Sequence, residues 1–238
     1  MPDKRKHRGA NPQDATAFAP DRRPGLRQAV ADLSWLLSHG YAEKSSLKLV
    51  GDRYRLTERQ RMGVMRCSCS DQALARRKER EVACGAAAGQ CLLLDGYNVL
   101  TTVEAALAGG IILEARDGSY RDLASMHGSF RKVAETAPAI GLVGRQLAEL
   151  NVPRCVWYLD RPVSNSGRLK AVIAELAERQ GWNWQIELVN SPDMALIDGS
   201  DIAASADSVI LDRCGRWFNL ARRIVNSYLP DTQIVILG

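Results

Sequence analysis

The sequence predicts an α/β protein: a largely parallel sheet flanked by helices, preceded by a small, mainly helical, basic N-terminal domain. Three observations carry that expectation. Over residues 22–80 apolar residues recur at helical spacing, with few strand-like runs. From Cys91 onward short apolar runs alternate with amphipathic helical stretches, the pattern of parallel strands joined by helices. Charge divides at the same place: residues 1–90 carry 18 Lys+Arg and 10 Asp+Glu, and residues 91–238 carry 14 and 17.

The opening "MPDKRKHRGANPQDATAFAP" is basic, then polar, and has no apolar stretch of the secretory kind. Residues 1–20 are expected as a disordered tail. Residues 21–88 form the expected helical domain. In "RRPGLRQAVADLSWLLSH", Leu26, Val30, Leu33, Leu36 and Leu37 share one face, and Gly40 is a natural stop. "LKLV" and "RYRL", on either side of Gly51-Asp52, fit a small hairpin or a helix–loop–helix. Thr57 and Gln60 have capping-box spacing, and Ser70 or Asp71 caps the next helix. "CGAAAGQ" reads as a linker, which leaves 89–238 as the α/β domain.

That domain opens with the strand "CLLLDGYNVL". A short helix capped by Thr101 or Thr102 follows, then an extended piece and a turn in "GIILEARDGSYRD". A helical stretch from Leu123 to Leu150 is interrupted near Pro138. "RCVWYLD" is the second strand, and a helix capped by Ser164 or Ser166 turns Leu169, Val172, Ile173 and Leu176 inward. "WQIELV" is the third strand and "DIAAS" a short fourth. One helix, capped by Asp207 or Ser208, is expected to run through Ile210, Cys214, Trp217, Ala221, Ile224 and Tyr228. "TQIVIL" ends the chain as the last strand.

In a parallel sheet the strand C-termini share one edge, and ligands bind there. The first strand ends at Asp95 and the second at Asp160; Asp193 follows the third and Asp207 the fourth. For the third position Asp198 and Asp201 compete with Asp193. Carboxylates gathered together repel one another and raise each other's pKa. Mg²⁺ or Mn²⁺ removes that repulsion, prefers oxygen ligands and stabilises phosphate oxygens during displacement. Just past Asp160, "DRPVSNSGRLK" sets Ser164, Asn165, Ser166 and Gly167 at a helix N-terminus, among Arg161, Arg168 and Lys170. Free backbone N–H groups and the helix dipole there suit phosphate.

Other chemistries fit less well. No Gly-x-Gly-x-x-Gly or Gly-Lys-Ser/Thr phosphate loop is present, and Tyr97 excludes an Asp-x-Asp phosphatase motif after the first strand. The three histidines are His7, His39 and His127; His127, in "SMHGSF", is the one considered for a site. Cys67 and Cys69 lack a second pair at zinc spacing. Six scattered cysteines suit a reducing compartment, so a cytoplasmic location is expected. No apolar run is long enough for a membrane span. The basic N-terminal half is a candidate polyanion-binding surface.

"LLLDGYNVL" resembles the opening strand of the PIN-like nucleases, above all the NYN branch, whose first motif runs from apolar residues into Asp-Gly-x-Asn. "YLD" at Tyr158–Asp160 and "ASAD" at Ala204–Asp207 resemble later acidic motifs of that superfamily, with Ser205 where Thr is usual. The resemblance spans about residues 90–238 and implies a PIN-like parallel sheet flanked by helices. It also implies Asp95, Asp160 and Asp207 as metal ligands and Asn98 as the residue that orients water or substrate. The Ser-x-Asp-x-Asp-Phe motif of many NYN proteins is missing; "LDRCGRWFNL" stands there with Asp212 alone. "YAEKSSLKLVGDRYRLTERQRMGVMR" resembles the domain of unknown function 434.

The expected function is a Mg²⁺- or Mn²⁺-dependent ribonuclease. Asp95, Asp160, Asp193 and Asp207 hold metal, Asn98 assists, and Arg161, Ser164, Asn165, Ser166, Gly167, Arg168 and Lys170 bind phosphate. The N-terminal domain adds sequence-independent RNA affinity. The alternative is a PIN-like protein that binds RNA or a nucleotide without chemistry. RNA is the expected partner, a membrane is not, and self-association stays open.

Overall fold

The structure, a computed structural model, describes residues 7–8, 11–124 and 130–238. Among these described residues six helices come first: α1 (Asp14–Ala17), α2 (Arg23–Ser38), α3 (Glu43–Arg53), α4 (Glu58–Cys67), α5 (Asp71–Arg80) and α6 (Cys84–Ala87). The open choice at residues 41–56 falls to helix–loop–helix, because α3 covers "LKLV" and Gly51 alike. The capping box opens α4: Gln60 N donates to Thr57 Oγ1 at 3.3 Å, and Thr57 N donates to Gln60 Oε1 at 3.0 Å. Ser70 caps α5 through Ala73 N at 3.1 Å.

The tail expected over residues 1–20 is corrected where it is described. Phe18 is buried, and Arg59 forks onto both carboxylate oxygens of Asp14 at 2.7 and 2.9 Å. Arg8, also buried, donates to Glu104 Oε2 at 2.7 Å. Apolar burial and charge-assisted hydrogen bonds offset the entropy that polar composition alone would keep.

The α/β part adds β1 (Leu92–Asp95), α7 (Gly96–Leu107), β2 (Ile112–Glu114), β3 (Tyr120–Arg121), α8 (Thr136–Glu149), β4 (Cys155–Asp160) and α9 (Ser166–Gln180). It ends with β5 (Trp184–Val189), α10 (Pro192–Ile197), β6 (Ile202–Ala204), α11 (Ser208–Arg213), α12 (Leu220–Tyr228) and β7 (Ile234–Ile236). Four strands form one parallel sheet in the order β5-β4-β1-β6. The chain therefore steps outward from β1 to β4 and β5, then returns to the other side of β1. That reversal opens a crevice between the C-terminal ends of β1 and β6.

Strand alternation divides the core. Leu92, Leu94, Trp157 and Leu159 pack with Val99 and Val103 of α7, Ile140 and Val143 of α8, Ile173 of α9 and Ile224 of α12. Leu93, Val156 and Ala203 face the other way, onto Leu196 of α10, Ile210 and Leu211 of α11, and Trp217. Asp95 keeps the parity of Leu93, so its carboxylate emerges on the side of the short helices α10 and α11.

The last strand does not join this sheet. β7 pairs with β2, and β2 with β3, in a separate three-stranded sheet. Leu113 and Val235 of that sheet share a core with Leu26, Val30 and Leu33 of α2 and Val64 of α4. Its other face, with Ile112 and Tyr120, packs on Ala105, Ala106 and Val225. Segments 21–88 and 89–238 are thus joined through a common core rather than by a bare linker.

Four helix expectations are corrected. α7 begins at Gly96 with Asp95 as its N-cap, six or seven residues before the expected threonine caps. α8 begins only at Thr136, so Pro138 sits in its first turn, where the missing N–H costs nothing. The single helix expected from Asp207 to Tyr228 breaks between Cys214 and Asn219, where Trp217 bridges to both Glu81 and Ala203. The cap expected at Ser164 or Ser166 is absent: Asn165, at φ 70°, precedes α9 and makes no side-chain cap bond.

Gly96 is required by close approach. A Cβ there would meet Tyr158 O at 2.9 Å and Leu159 Cδ2 at 2.6 Å. Gly96→Ala should cost about 1–3 kcal/mol in urea denaturation, as overpacking does. Stability equal to wild type would show that β4 can shift freely.

Candidate functional site

A cleft of about 770 Å³ lies where the N-terminal helices face the C-terminal edge of the main sheet. Met65, Arg66, Cys69 and Arg77 line one side; Asp95, Asn98, Asp193 and Asp207 line the other.

Asp95 is buried at the floor. Its Oδ2 accepts from Ser205 Oγ at 2.7 Å, and its Oδ1 lies 3.5 Å from Asn98 N. Burial pushes its carboxyl up to about 7; the charges of Asp207 and Asp193 push the same way, against the Ser205 and Asn98 bonds. Asn98 Oδ1 accepts from Ala206 N at 2.8 Å, which ties the first turn of α7 to the end of β6. Ser205 Oγ also accepts from Asp207 N at 2.9 Å. Asp207 caps α11, its Oδ1 accepting from Val209 N at 2.8 Å and Ile210 N at 3.4 Å. Its Oδ2 has no hydrogen bond among the described residues.

Asp193 stands in the first turn of α10, after Pro192. Its carboxyl is raised by partial burial and by the charge of Asp207. Of the three competitors for this position, Asp193 reaches the cleft. Asp198 follows the end of α10, and Asp201 precedes β6, where it pairs with Arg154 at 3.2 Å. Asp160 is raised by burial and by Asp193. It does not line the cleft, for a geometric reason. Asp95 is in register with Tyr158, so β4 runs two residues past β1, roughly 7 Å at the usual strand rise. In the sheet order the row of four carboxylates is Asp193 after β5, Asp160 at the end of β4, Asp95 at the end of β1 and Asp207 after β6. Their charges act on one another: Asp193 on Asp160, Asp207 on Asp193, and both Asp207 and Asp193 on Asp95.

The anticipated phosphate segment lies off the cleft. Asn165 Nδ2 donates to Phe130 O at 3.0 Å, and Ser166 Oγ to Arg161 O at 3.4 Å. Arg161 donates to Leu188 O at 2.7 Å, while Ser164 O accepts from Phe130 N. Asn165 and Arg168 border a separate pocket of about 390 Å³ with Phe130, Leu169 and Val172. Gly167 and Lys170 line neither pocket. His127 lies outside the described residues.

The domain of unknown function DUF5616 matches residues 84–223, more than half of the chain. The chain belongs to the DUF5616 family. A second family, the protein of unknown function DUF434, matches residues 25–80, which hold α2 to α5. The uncharacterized protein MJ0935 of Methanocaldococcus jannaschii is 28% identical over 186 residues, 78% of this chain and 88% of its own length. No solved structure matches.

The DUF5616 part supplies the row of carboxylates, and the DUF434 part supplies the opposite wall. Six carboxylates line the cleft against three guanidinium groups, those of Arg66, Arg77 and Arg121. Arg77 and Arg121 are both bonded to buried Asp117, so the cleft is acidic. Such a cleft attracts cations and repels an unaccompanied phosphodiester. Its donors are oxygens, which suits Mg²⁺ or Mn²⁺, and Mg²⁺ often takes one or two carboxylates and fills the rest with water. Among the described residues no three Asp, Glu, His or Cys groups are drawn together as ligands. Nothing among the described residues thus forms a closed cage for an ion.

Sequence reasoning missed other members of the DUF5616 site. Thr101 and Thr102 lie inside α7 and donate to Asp122 Oδ2 at 3.3 and 3.0 Å. Asp122 directly follows β3, the same strand-end signal as the others, but a two-residue strand hides it. Many arginines of the DUF434 part are internal ties. Arg61 bonds Asp52 at 2.7 Å, Arg66 donates to the carbonyls of Asp122 and Ala124, and Arg77 and Arg80 reach α11. Cys67, pushed up to about 12 by burial, is an inert thiol, and all six cysteines are unpaired. No helix among the described residues is long and apolar enough to cross a membrane.

Proposed function

We propose that this protein is a PIN-like, divalent-metal-dependent nuclease that hydrolyses RNA phosphodiesters. The observation that carries the reading is a cleft at the C-terminal edge of a parallel sheet, lined by Asp95, Asp193 and Asp207 beside the point where strand order reverses, with Asp160 at the neighbouring strand end. Asp95 and Asp207 would hold Mg²⁺ or Mn²⁺, with Asp193 next to them. Such a cation supplies Lewis acidity toward a phosphoryl oxygen and offsets the acidic cleft's repulsion of phosphate. Asn98 spends its oxygen on Ala206 N, which leaves its amide N–H groups free to orient a substrate oxygen. The segment from Arg161 to Lys170, just past the end of β4, is a candidate contact for a phosphate farther along the strand.

The test is RNA cleavage in Mn²⁺ by wild type and Asp207→Asn, with Mn²⁺ binding followed by calorimetry. The variant should lose at least about 100-fold in cleavage rate, the scale of a lost acid–base or metal contribution. Equal cleavage by both proteins would sink the assignment.

A second reading, RNA or nucleotide binding without chemistry, has its own support. Both Asp95 oxygens already have partners within the protein, and Asp212, alone in the region of the missing acidic motif, is bonded to Arg77 at 2.7 Å. RNA retained in chelator, with no products in any divalent metal, would select it.

A further inference from the structure

α11 is six residues long, too short to hold itself, and yet its N-cap is Asp207. Besides the burial of Ile210 and Leu211 against Leu196 and Trp217, a set of bonds to it comes from outside the DUF5616 segment. Arg77 of α5, with a side chain 3% exposed, donates to Asp212 Oδ1 at 2.7 Å and lies 3.4 Å from Ser208 O. Its third nitrogen, Nη1, donates to Asp117 Oδ2 at 2.6 Å. Arg80, one turn on, donates to the carbonyls of Asp212 and Cys214, both at 3.1 Å, and so covers the C-terminal end of α11. The backbone after α5 continues the hold. Trp217 N donates to Arg80 O at 3.0 Å, Val82 N to Trp217 O at 2.8 Å, and Trp217 Nε1 to Arg77 O at 2.7 Å. Both ends of α11 and the segment that follows it are thus bonded to α5.

We propose that Arg77 is a positioning residue for Asp207, which makes the N-terminal helices a structural part of the site rather than a separate binding module. The proposal rests on the reading of Asp207 as a metal-holding carboxylate, but its geometry does not. A guanidinium can serve three acceptors in fixed directions at once, whereas a lysine ammonium brings a compact charge on a flexible stem. Arg77→Lys therefore keeps the charge and loses the fork.

The experiment uses the full-length chain. Amide hydrogen exchange is followed by NMR at Val209 and Ile210, the two amides that Asp207 caps, and Mn²⁺ binding is titrated by calorimetry. In Arg77→Lys, exchange at both amides should rise at least about tenfold while α2 and α9 keep their protection. The Mn²⁺ Kd should weaken about 10- to 100-fold, as it does when a supporting residue behind a ligand is lost. Unchanged exchange at Val209 and Ile210 in the folded variant overturns the proposal. Raised exchange in a protein whose wild type takes up no Mn²⁺ supports the positioning role and removes the metal reading instead. Should Arg77→Lys fail to fold, Asp212→Asn decides by the same exchange criterion, because it weakens the Arg77 bond at a side chain that is 31% exposed.

Discussion

Asp95→Asn is expected to make the protein more stable above pH 7 and unable to take up Mn²⁺. Burial holds the Asp95 carboxyl at about 7 in the folded chain, against 3.8 for an ordinary aspartate. The folded state therefore binds a proton that the unfolded state releases between pH 3.8 and 7. The stability this group contributes is fully present below pH 3.8 and is lost as pH rises through 7. Over that window the loss is roughly 4 kcal/mol at most, at 1.36 kcal/mol per unit. Asparagine removes the titration. Its amide oxygen can still accept from Ser205 Oγ, and its amide nitrogen replaces only the weak 3.5 Å contact to Asn98 N. In chelator the variant should melt higher than wild type at pH 8, and the gain should vanish near pH 4. Added Mn²⁺ should raise the melting temperature of wild type alone, since binding to the folded state stabilises it by mass action. At pH 6.5, where a group of pKa about 7 is roughly three-quarters protonated, uptake by wild type should release about three-quarters of a proton per ion bound. Parallel pH–stability curves for the two proteins would refute the buried-carboxyl account.

Asp95 was legible because a buried strand, "LLL", runs into a carboxylate and then into Gly96, which has no side chain to strike Tyr158 O. The helix start was not legible. Thr101 and Thr102 look like caps locally, but their hydroxyls serve Asp122, twenty residues away, and Asp95 is its own helix's cap. Asp160 would join the same cluster only if the strands ended level. β4 outruns β1 by two residues, and no local pattern records register. The break after Cys214 was invisible for a similar reason. Trp217 keeps helical spacing with Ile210 and Ala221, yet its backbone is claimed by Arg80 and Val82, more than 130 residues earlier. The same distance effect made the N-terminal basic charge look free. Composition counts arginines, and only the fold shows that Arg59, Arg77 and Arg80 are already bonded. β7 was recognisable as a strand from its apolar run, but nothing in six residues tells which of two sheets it enters.

Asp117→Ala is the substitution expected to cost most stability. Asp117 sits in the turn between β2 and β3, its side chain 1% exposed. Its Oδ1 accepts from Ser119 N at 3.0 Å and Ser119 Oγ at 2.6 Å, and its Oδ2 from Arg77 at 2.6 Å and Arg121 at 3.1 Å. Burial alone would push this carboxyl up, but Arg121 and Arg77 overcome it and hold the group below the ordinary range. Its contribution is therefore present above the unfolded pKa of 3.8 and is lost as pH falls through the lower folded value. Removing the carboxylate leaves two buried guanidinium groups facing each other with part of their bonding gone. Breaking a buried ion pair from one side costs about 3–5 kcal/mol. For a chain of this length that is a fall of roughly 6–20 °C in Tm, at about 2–4 °C per kcal/mol. Asp117→Asn keeps an acceptor oxygen and should lose less. The two variants separate the charge from the hydrogen bonds, and urea midpoints at constant slope read the difference. The damage should also reach the cleft, because Arg77 and Arg121 both continue to Ser208, the first residue after Asp207. A loss below about 1 kcal/mol in Asp117→Ala would mean that the two arginines find other partners, and that α11 is held by its own packing alone.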